Sequence, residues 1–191
     1  MFADRKDHSM GPPEPEQRFE EIYMAHYPAI ATYVRRRSTS PDDIADVLAE
    51  TFTTAWRRLN DVPPKPEQAR LWLYGVARRV LANHFRAEER RTALAVRLRG
   101  EVTTWAAAVV RDDSAHRAFQ RLSDDDREVL ALVAWEGLTG PEIAKVLGCS
   151  RGAARLRLHR ARKRLAKELA EIDPDLAGYG SRAVSLAEGR S

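Results

Sequence analysis

Residues 139–167, TGPEIAKVLGCSRGAARLRLHRARKRLAK, constrain the fold more than any other stretch of the chain. Thr139 is a good helix N-cap, Pro141 sits in the first turn, and Glu142 follows the cap by three residues, the spacing of a capping box. Ile143, Val146 and Leu147 give this short helix an apolar side. Gly148 ends it, because glycine adopts the left-handed C-terminal conformation with no Cβ penalty. Ser150 caps a second helix with no breaker after Gly152. Two helices joined by so tight a turn predict a helix-turn-helix.

The second helix has two faces. At 100° per residue, Ala154, Leu158, Ala161 and Leu165 share one stripe, the core face. Arg151, Arg155, Arg157, Arg160, Arg162, Lys163, Arg164 and Lys167 occupy the rest, and no acid interrupts them. A helix entering the DNA major groove needs this arrangement: early side chains reach base edges and later basic ones hold phosphates. The plainer alternative is a solvated basic helix with no ligand. A tight turn, two caps and an unbroken positive run occurring together favour DNA. The candidate contacts are Arg151, Gly152, Arg155, Leu156, Arg157, Arg160 and Arg162, with His159 as an accessory.

The chain has 191 residues, enough for two small domains with cores of their own. Its formal net charge of +4 makes nucleic acid a plausible partner, but the segregation of acids from bases along the chain is more telling. A single cysteine, Cys149, excludes a disulfide framework and a cysteine metal site, and fits a reducing, cytoplasmic setting. No apolar run approaches the roughly 20 residues of a membrane span. The first residues, MFADRKDHSMGPPEPEQ, lack the apolar stretch of a secretory signal and are predicted to be disordered over 1–17.

A first domain is predicted over residues 18–91. Phe19, Ile22, Tyr23, Tyr27, Ile30 and Val34 follow helical spacing, and Pro28 should kink that helix or divide it. Ser40 and Pro41 start the next helix, with Asp42 and Asp43 complementing its dipole. Ile44, Val47, Leu48, Thr51, Phe52, Ala55 and Trp56 are its predicted buried side. Between Asp42 and Trp56 there are four acids and no base. A helix start accounts for Asp42 and Asp43, but Glu50 lies too far along, so Asp46 and Glu50 are predicted to form an acidic contact face. Prolines mark residues 59–68 as a loop. A long helix over about 67–91 follows, with Leu73, Val76, Ala77, Val80, Leu81 and His84 as its apolar stripe. Trp72, Arg79, Asn83, Arg86 and Arg90 cluster on a separate face, with Gly75 beside them. An aromatic among arginines suits a single nucleic-acid strand, which stacks its bases and pairs its phosphates. For Trp72 alone, core packing is an equally good account.

Residues 92–116 read as a linker, broken at Gly100, with an apolar patch from Trp105 to Val110. The linker is long enough to leave the spacing of the two domains unset. A second domain is predicted over 117–171. Ser123 caps its first helix, Asp124 to Asp126 fill the first turn, and Val129, Leu130, Leu132 and Val133 pack inward. Adjacent helical residues diverge by 100°, so the three aspartates cannot converge on a metal and are read as capping. The five histidines show no metal spacing, and no Gly-rich phosphate loop, nucleophile elbow or carboxylate pair is present. No enzyme activity, metal or cofactor is expected. Residues 172–191 read as a loose tail.

Three stretches together resemble the extracytoplasmic-function sigma factors of bacterial RNA polymerase. IADVLAETFTTAW is similar to that family's acidic helix, ARLWLYGVARRVLANHFRAEERR to its −10-element helix, and LSDDDREVLALVAWEGLTGPEIAKVLGCSRGAARLRLHRARKRL to its −35-element domain. The likeness covers about residues 18–171, in the family's order. It departs at Ala49, where Gln is frequent, at Arg79 and Asn83, where Asn and Asp are common, at Ala153 and Ala154, where Thr-Val is usual, and at Leu156, which replaces a small polar residue.

The resemblance implies an all-α fold: two small helical domains joined by a flexible linker, the C-terminal one a helix-turn-helix. It implies that Asp43, Asp46 and Glu50 bind the polymerase core. Asn60 and Asp61 would hold a base flipped from the −10 element, and Trp72, Arg79, Asn83, Arg86 and Arg90 would keep the non-template strand open. The helix from Arg151 would read the −35 duplex. The implied partners are core polymerase, promoter DNA and, for some members, an anti-sigma protein; free, the chain is expected to be a monomer. A self-sufficient helix-turn-helix regulator is the rival reading, and it leaves the acidic helix and the single-strand face unexplained.

Overall fold

The structure, a computed structural model, describes residues 14–96 and 114–173, with side chains described over 14–87 and 114–173. Among these residues there are seven α-helices and no strand. Helices α1 (Pro15–Arg35), α2 (Pro41–Arg57) and α3 (Pro66–Val96) form the first domain, with a 3-10 turn at Leu59–Asp61 after α2. Helices α4 (Ser114–Gln120), α5 (Asp124–Ala134), α6 (Gly140–Leu147) and α7 (Arg151–Ile172) form the second. Residues 1–13, the Trp105–Val110 patch and residues beyond Asp173 lie outside the described residues. The ends of the expected linker are helical, since α3 runs on to Val96 and α4 starts at Ser114.

Local chemistry sets the helix boundaries. The hydroxyls of Ser40, Ser123 and Ser150 accept from the N–H groups of Asp43, Asp126 and Ala153. Each bond satisfies one of the donors that a helix start leaves without a partner. Gly148 ends α6 at φ +64°, the left-handed conformation expected there. Glu142 Oε2 accepts from the Thr139 N–H at 2.8 Å and from its hydroxyl at 2.6 Å, and these bonds hold its carboxyl below the usual range.

Three expectations need correction. Pro28 does not divide α1, which is continuous from Pro15 to Arg35. The ring removes one backbone hydrogen bond and crowds the preceding turn, together costing about 3 kcal/mol in a helix interior. Beyond it α1 buries Ile30, Ala31, Tyr33 and Val34, and burial of the three large side chains, at about 1.5–3 kcal/mol each, outweighs that cost. Trp56 is not buried: it is 42% exposed and meets Phe19 edge-on at 5.3 Å between ring centres. In α3 the apolar stripe is incomplete, because Ala69, Leu71 and Tyr74 are buried as well. This helix packs against α1 and α2 on one side and α6 on the other, so no single stripe describes it.

The α3–α6 contact joins the two domains. A Cβ placed on Gly75 of α3 would lie 3.4 Å from the Val146 carbonyl oxygen of α6, so the glycine lets the α6 backbone approach closely. Beside it, Tyr33, Arg36 and Arg37 of the first domain meet Glu128, Trp135 and Glu136 of the second. The apolar core is continuous through both domains, from Ile30 and Leu73 to Leu132, Ile143 and Ala161. The spacing that the linker leaves open is thus fixed in this state by direct contact.

Candidate nucleic-acid interface

Three surfaces carry the candidate residues. On α2, Val47, Leu48, Thr51, Phe52 and Ala55 are buried, which turns Asp46 and Glu50 outward. Both are exposed and neither enters an ion pair among the described residues. Asp43 differs: it is half-buried, with an oxygen 3.8 Å from His84 Nε2 of α3. His84 itself is half-buried.

The second surface is formed by α3 and the loop before it. Arg79, Asn83 and Arg86 are exposed on successive turns, and Arg86 Nη2 donates to Asn83 Oδ1 at 2.6 Å. That bond orients the amide and keeps the guanidinium on the same face. Trp72 is half-buried, with the Arg58 guanidinium 5.7 Å from its ring centre. It is therefore neither core nor a bare stacking platform. Arg90 lies in α3, outside the described side chains. In the 3-10 turn Asn60 and Asp61 are both exposed, but Asp61 is held by Arg58 at 2.8 Å. Asn60 opens onto a cavity of about 880 Å³ walled by Arg18, His26, Trp56, Pro63 and Pro64. The Arg18 guanidinium braces the loop by donating to the Val62 carbonyl at 2.8 Å. His26, 8% exposed, has its pKa lowered by burial and by the Arg70 charge. This cavity is not legible in sequence, because its walls come from α1, α2 and a Pro-rich loop far apart along the chain.

The third surface is α7. Ala154 and Ala161 are fully buried and Leu158 and Leu165 half-buried, the stripe that the spacing predicts. Arg151, Gly152, Arg155, Leu156, Arg157, His159 and Arg160 are exposed, and Arg162 is half-buried. Leu156 is 48% exposed, an apolar side chain among arginines. A Cβ on Gly152 would meet nothing within 4 Å, so the glycine is not required by packing inside the protein. Arg164 is drawn away from the basic face, since its Nη1 lies 2.5 Å from the buried Asp126 carboxylate.

The three aspartates of α5 do more than complement a dipole. Asp124 pairs with Arg127, Asp125 reaches Arg78 of the first domain at 3.7 Å, and Asp126 takes Arg164. Each points to a different base, as the 100° step requires. Among the described residues no group of three His, Cys, Asp or Glu side chains is disposed to hold a metal ion. Among them too, no helix is long and apolar enough to cross a membrane.

Comparison with known proteins agrees with this layout. Residues 22–91 match the family described as Sigma-70 region 2, and residues 112–165 the family described as Sigma-70, region 4. The RNA polymerase sigma factor CarQ of Myxococcus xanthus is 29% identical over 169 residues, covering 85% of this chain and 95% of that protein. The ECF RNA polymerase sigma factor SigF of Caulobacter vibrioides is 28% identical over 148 residues, covering 75% of this chain and 80% of its own. Among solved structures, CnrH in complex with the cytosolic domain of CnrY matches at a TM-score of 0.54 and 27% identity, over 83% of this chain and 90% of that one. CnrH is a sigma factor of Cupriavidus metallidurans. With both sigma-70 regions in order on an all-helical fold of this kind, the chain belongs to the extracytoplasmic-function sigma factors of RNA polymerase.

Proposed function

We propose that this sigma factor divides its work among the three surfaces. Exposed Asp46 and Glu50 on α2, flanked by Asp43, dock on a basic surface of core polymerase. Asn60 and the cavity beneath it receive a base leaving the −10 stack, and Asp61 holds Arg58 in place at the edge. Arg79, Asn83 and Arg86, with Trp72 and Arg90 on the same helix, hold the unpaired strand. On α7, Arg151, Arg155, Leu156 and Arg157 meet base edges of the −35 duplex. Gly152 lets a phosphate approach the backbone, and His159, Arg160 and Arg162 hold phosphates further along. The working parts of the two domains then lie within residues 18–91 and 117–171.

The observation that carries this division is the separation of charge on one fold: an outward face of α2 whose charges are acidic until Arg57 ends the helix, and outward faces of α3 and α7 rich in arginine. A self-sufficient DNA-binding regulator has no use for the acidic face. The chain itself catalyses no reaction; it confers promoter choice on the polymerase, acts in the cytoplasm and is a monomer when free. CnrH is in complex with the cytosolic domain of CnrY, and the likeness to it supports an anti-sigma protein as a partner here too.

The experiment is co-migration with core polymerase of the wild type and of the double variant Asp46→Arg, Glu50→Arg. Both residues lie off the buried stripe, so stability is expected to change by no more than about 0.5 kcal/mol. Loss of core binding with the fold intact is expected; unchanged affinity would remove α2 as the docking surface.

A further inference from the structure

The turn after α2 carries a guanidinium that neither core docking nor base reading uses. Arg58 is the C-cap residue of α2 and opens the 3-10 turn, and the Asp61 N–H donates back to its carbonyl at 2.9 Å. Buried Leu59 and Val62 pin the turn to the core, which leaves Arg58, Asn60 and Asp61 exposed. Arg58 Nε donates to Asp61 Oδ2 at 2.8 Å, and Nη2 lies 2.8 Å from the same oxygen. The guanidinium also stands 5.7 Å from the centre of the Trp72 ring on α3.

Stability does not account for this arrangement. The Arg58 and Asp61 side chains are 52% and 54% exposed, and an ion pair in water adds little to folding. What the pair does is set direction. A guanidinium donates along more than one edge of a planar fork. Asp61 occupies the Nε edge and the Trp72 ring lies on one face, which leaves the Nη1 edge without a hydrogen-bond partner among the described residues. The side chain is oriented in advance, so a ligand that takes this edge costs little further loss of rotamer freedom.

The position of that edge selects the ligand. Asn60 precedes Asp61 and opens onto the cavity of about 880 Å³, while Trp72 offers an aromatic surface on the other side of Arg58. A strand with one base in the cavity and the neighbouring base against Trp72 carries the phosphate that joins them past Arg58. A guanidinium edge matches both the charge and the paired oxygens of a phosphate. Two other arginines wall the cavity. Arg18 is committed to the Val62 carbonyl at 2.8 Å, and Arg57 has neither an acid nor a ring to orient it among the described residues. Asp61 is poorly placed to read a base itself, since a carboxylate only accepts and its Oδ2 already meets both Arg58 nitrogens.

We propose that Arg58 clamps the phosphate between the base received beside Asn60 and the base held against Trp72. Asp61 is a positioning residue that acts through Arg58 and not on the base. Preference at the flipped position then belongs to Asn60 and the cavity, because a phosphate contact carries no base information. The inference rests on the reading of the cavity as the receiver of a −10 base.

A double-mutant cycle between protein and phosphate tests it, with the full-length chain in complex with core polymerase. The DNA is a promoter identified from transcript starts after overexpression, its −10 region held open by a non-complementary template strand. Methylphosphonates, which are neutral, replace the non-template phosphates one at a time. In the wild type, replacement at the linkage beside the flipped base is expected to weaken binding about tenfold. Arg58→Ala is expected to lose as much on unmodified DNA and nothing further from that one methylphosphonate, while responding to the others as the wild type does. Arg58→Lys keeps the charge without the fork and is expected to fall between the two. Asp61→Ala is expected to reduce the same coupling and leave base preference unchanged, whereas Asn60→Ala relaxes that preference. A loss in Arg58→Ala that simply adds to the loss from every methylphosphonate overturns the clamp, as does coupling that belongs to Arg57→Ala instead. A changed base preference in Asp61→Ala overturns its positioning role. Unchanged preference in Asn60→Ala would strike the cavity reading, and the cycle would still decide whether Arg58 holds a phosphate.

Discussion

Arg37 and Glu128 stand 91 residues apart in the sequence and form an ion pair at 2.7 Å in which the guanidinium is 2% exposed. Burial alone would ease the proton from such a cation. Tyr33 and the carboxylates of Glu128 and Glu136 outweigh it and hold the guanidinium above its ordinary pKa. The cost appears on Tyr33, whose phenol is pushed well up by burial and by the Glu128 charge, so it stays a donor throughout the physiological range. One arginine thereby couples two domains of different function.

Arg37→Ala would leave Glu128 without its guanidinium partner and Glu136 with Arg36 alone, at 3.6 Å. Removing one side of a buried pair costs about 3–5 kcal/mol where the site must stay closed. Parting of the domains would instead let both carboxylates hydrate. The expected result in differential scanning calorimetry is one transition for the wild type and two for the variant, with helix content unchanged before melting. A single transition merely shifted downward would mean that the contact between the domains cannot open without unfolding.

Arg79→Ala together with Arg86→Ala removes two exposed cations from α3 and also the bond that orients Asn83. The double variant in complex with core is expected to form the initial duplex complex nearly normally and to lose open complex at least tenfold. Permanganate reactivity of unpaired −10 thymines measures opening, and filter binding measures the duplex step. Equal loss in both would assign the two arginines to duplex phosphates.

Leu156 points about 140° from Arg151 around α7 and is 48% exposed. With no polar atoms it can read a base only through the thymine methyl. Leu156→Ser is expected to relax preference at a single −35 position, by about 1–3 kcal/mol of discrimination, with the rest of the site unchanged. Promoter libraries selected by each holoenzyme give the comparison. Identical libraries would leave Leu156 without a reading role.

Much of this was legible because it is local. The capping serines, Gly148 and the Ala154–Ala161 stripe depend on residues within a few positions of one another, and spacing alone places them. The same holds for the outward acids of α2. The ionic contact between the domains was not legible. Arg36 and Arg37 end an amphipathic helix, where basic residues ordinarily face water, and nothing near them in sequence points to Glu128 or Glu136. Helix α3 misled for a related reason: buried on two faces, it has apolar residues at positions that a single stripe leaves out, Leu71 and Tyr74 among them. Trp56 took its exposure from the cavity beside Asn60, which only the folded chain creates.

His26 gives the fold a defined acid sensitivity. Its pKa is lowered from 6.5 by burial and by Arg70, so the folded chain resists a proton that the unfolded chain accepts. Its effect on stability is absent well above pH 6.5, and stability is lost as pH falls below that value. Urea midpoints taken between about pH 7.5 and pH 5 are expected to fall less steeply for His26→Gln than for the wild type. Parallel slopes would place the acid sensitivity elsewhere.

The central claim is that promoter selectivity belongs to the complex with polymerase and not to the free chain. Its most direct test is a salt titration of binding to a promoter, identified from transcript starts after overexpression, and to a random duplex, each with and without core polymerase. One recognition helix and a set of phosphate contacts give the free chain weak, salt-sensitive binding that is nearly equal on the two DNAs. With core present, promoter binding is expected to tighten selectively, at least a hundredfold over random duplex, and the −10 region to melt. Tight and selective binding by the free chain, unchanged by core, would contradict it.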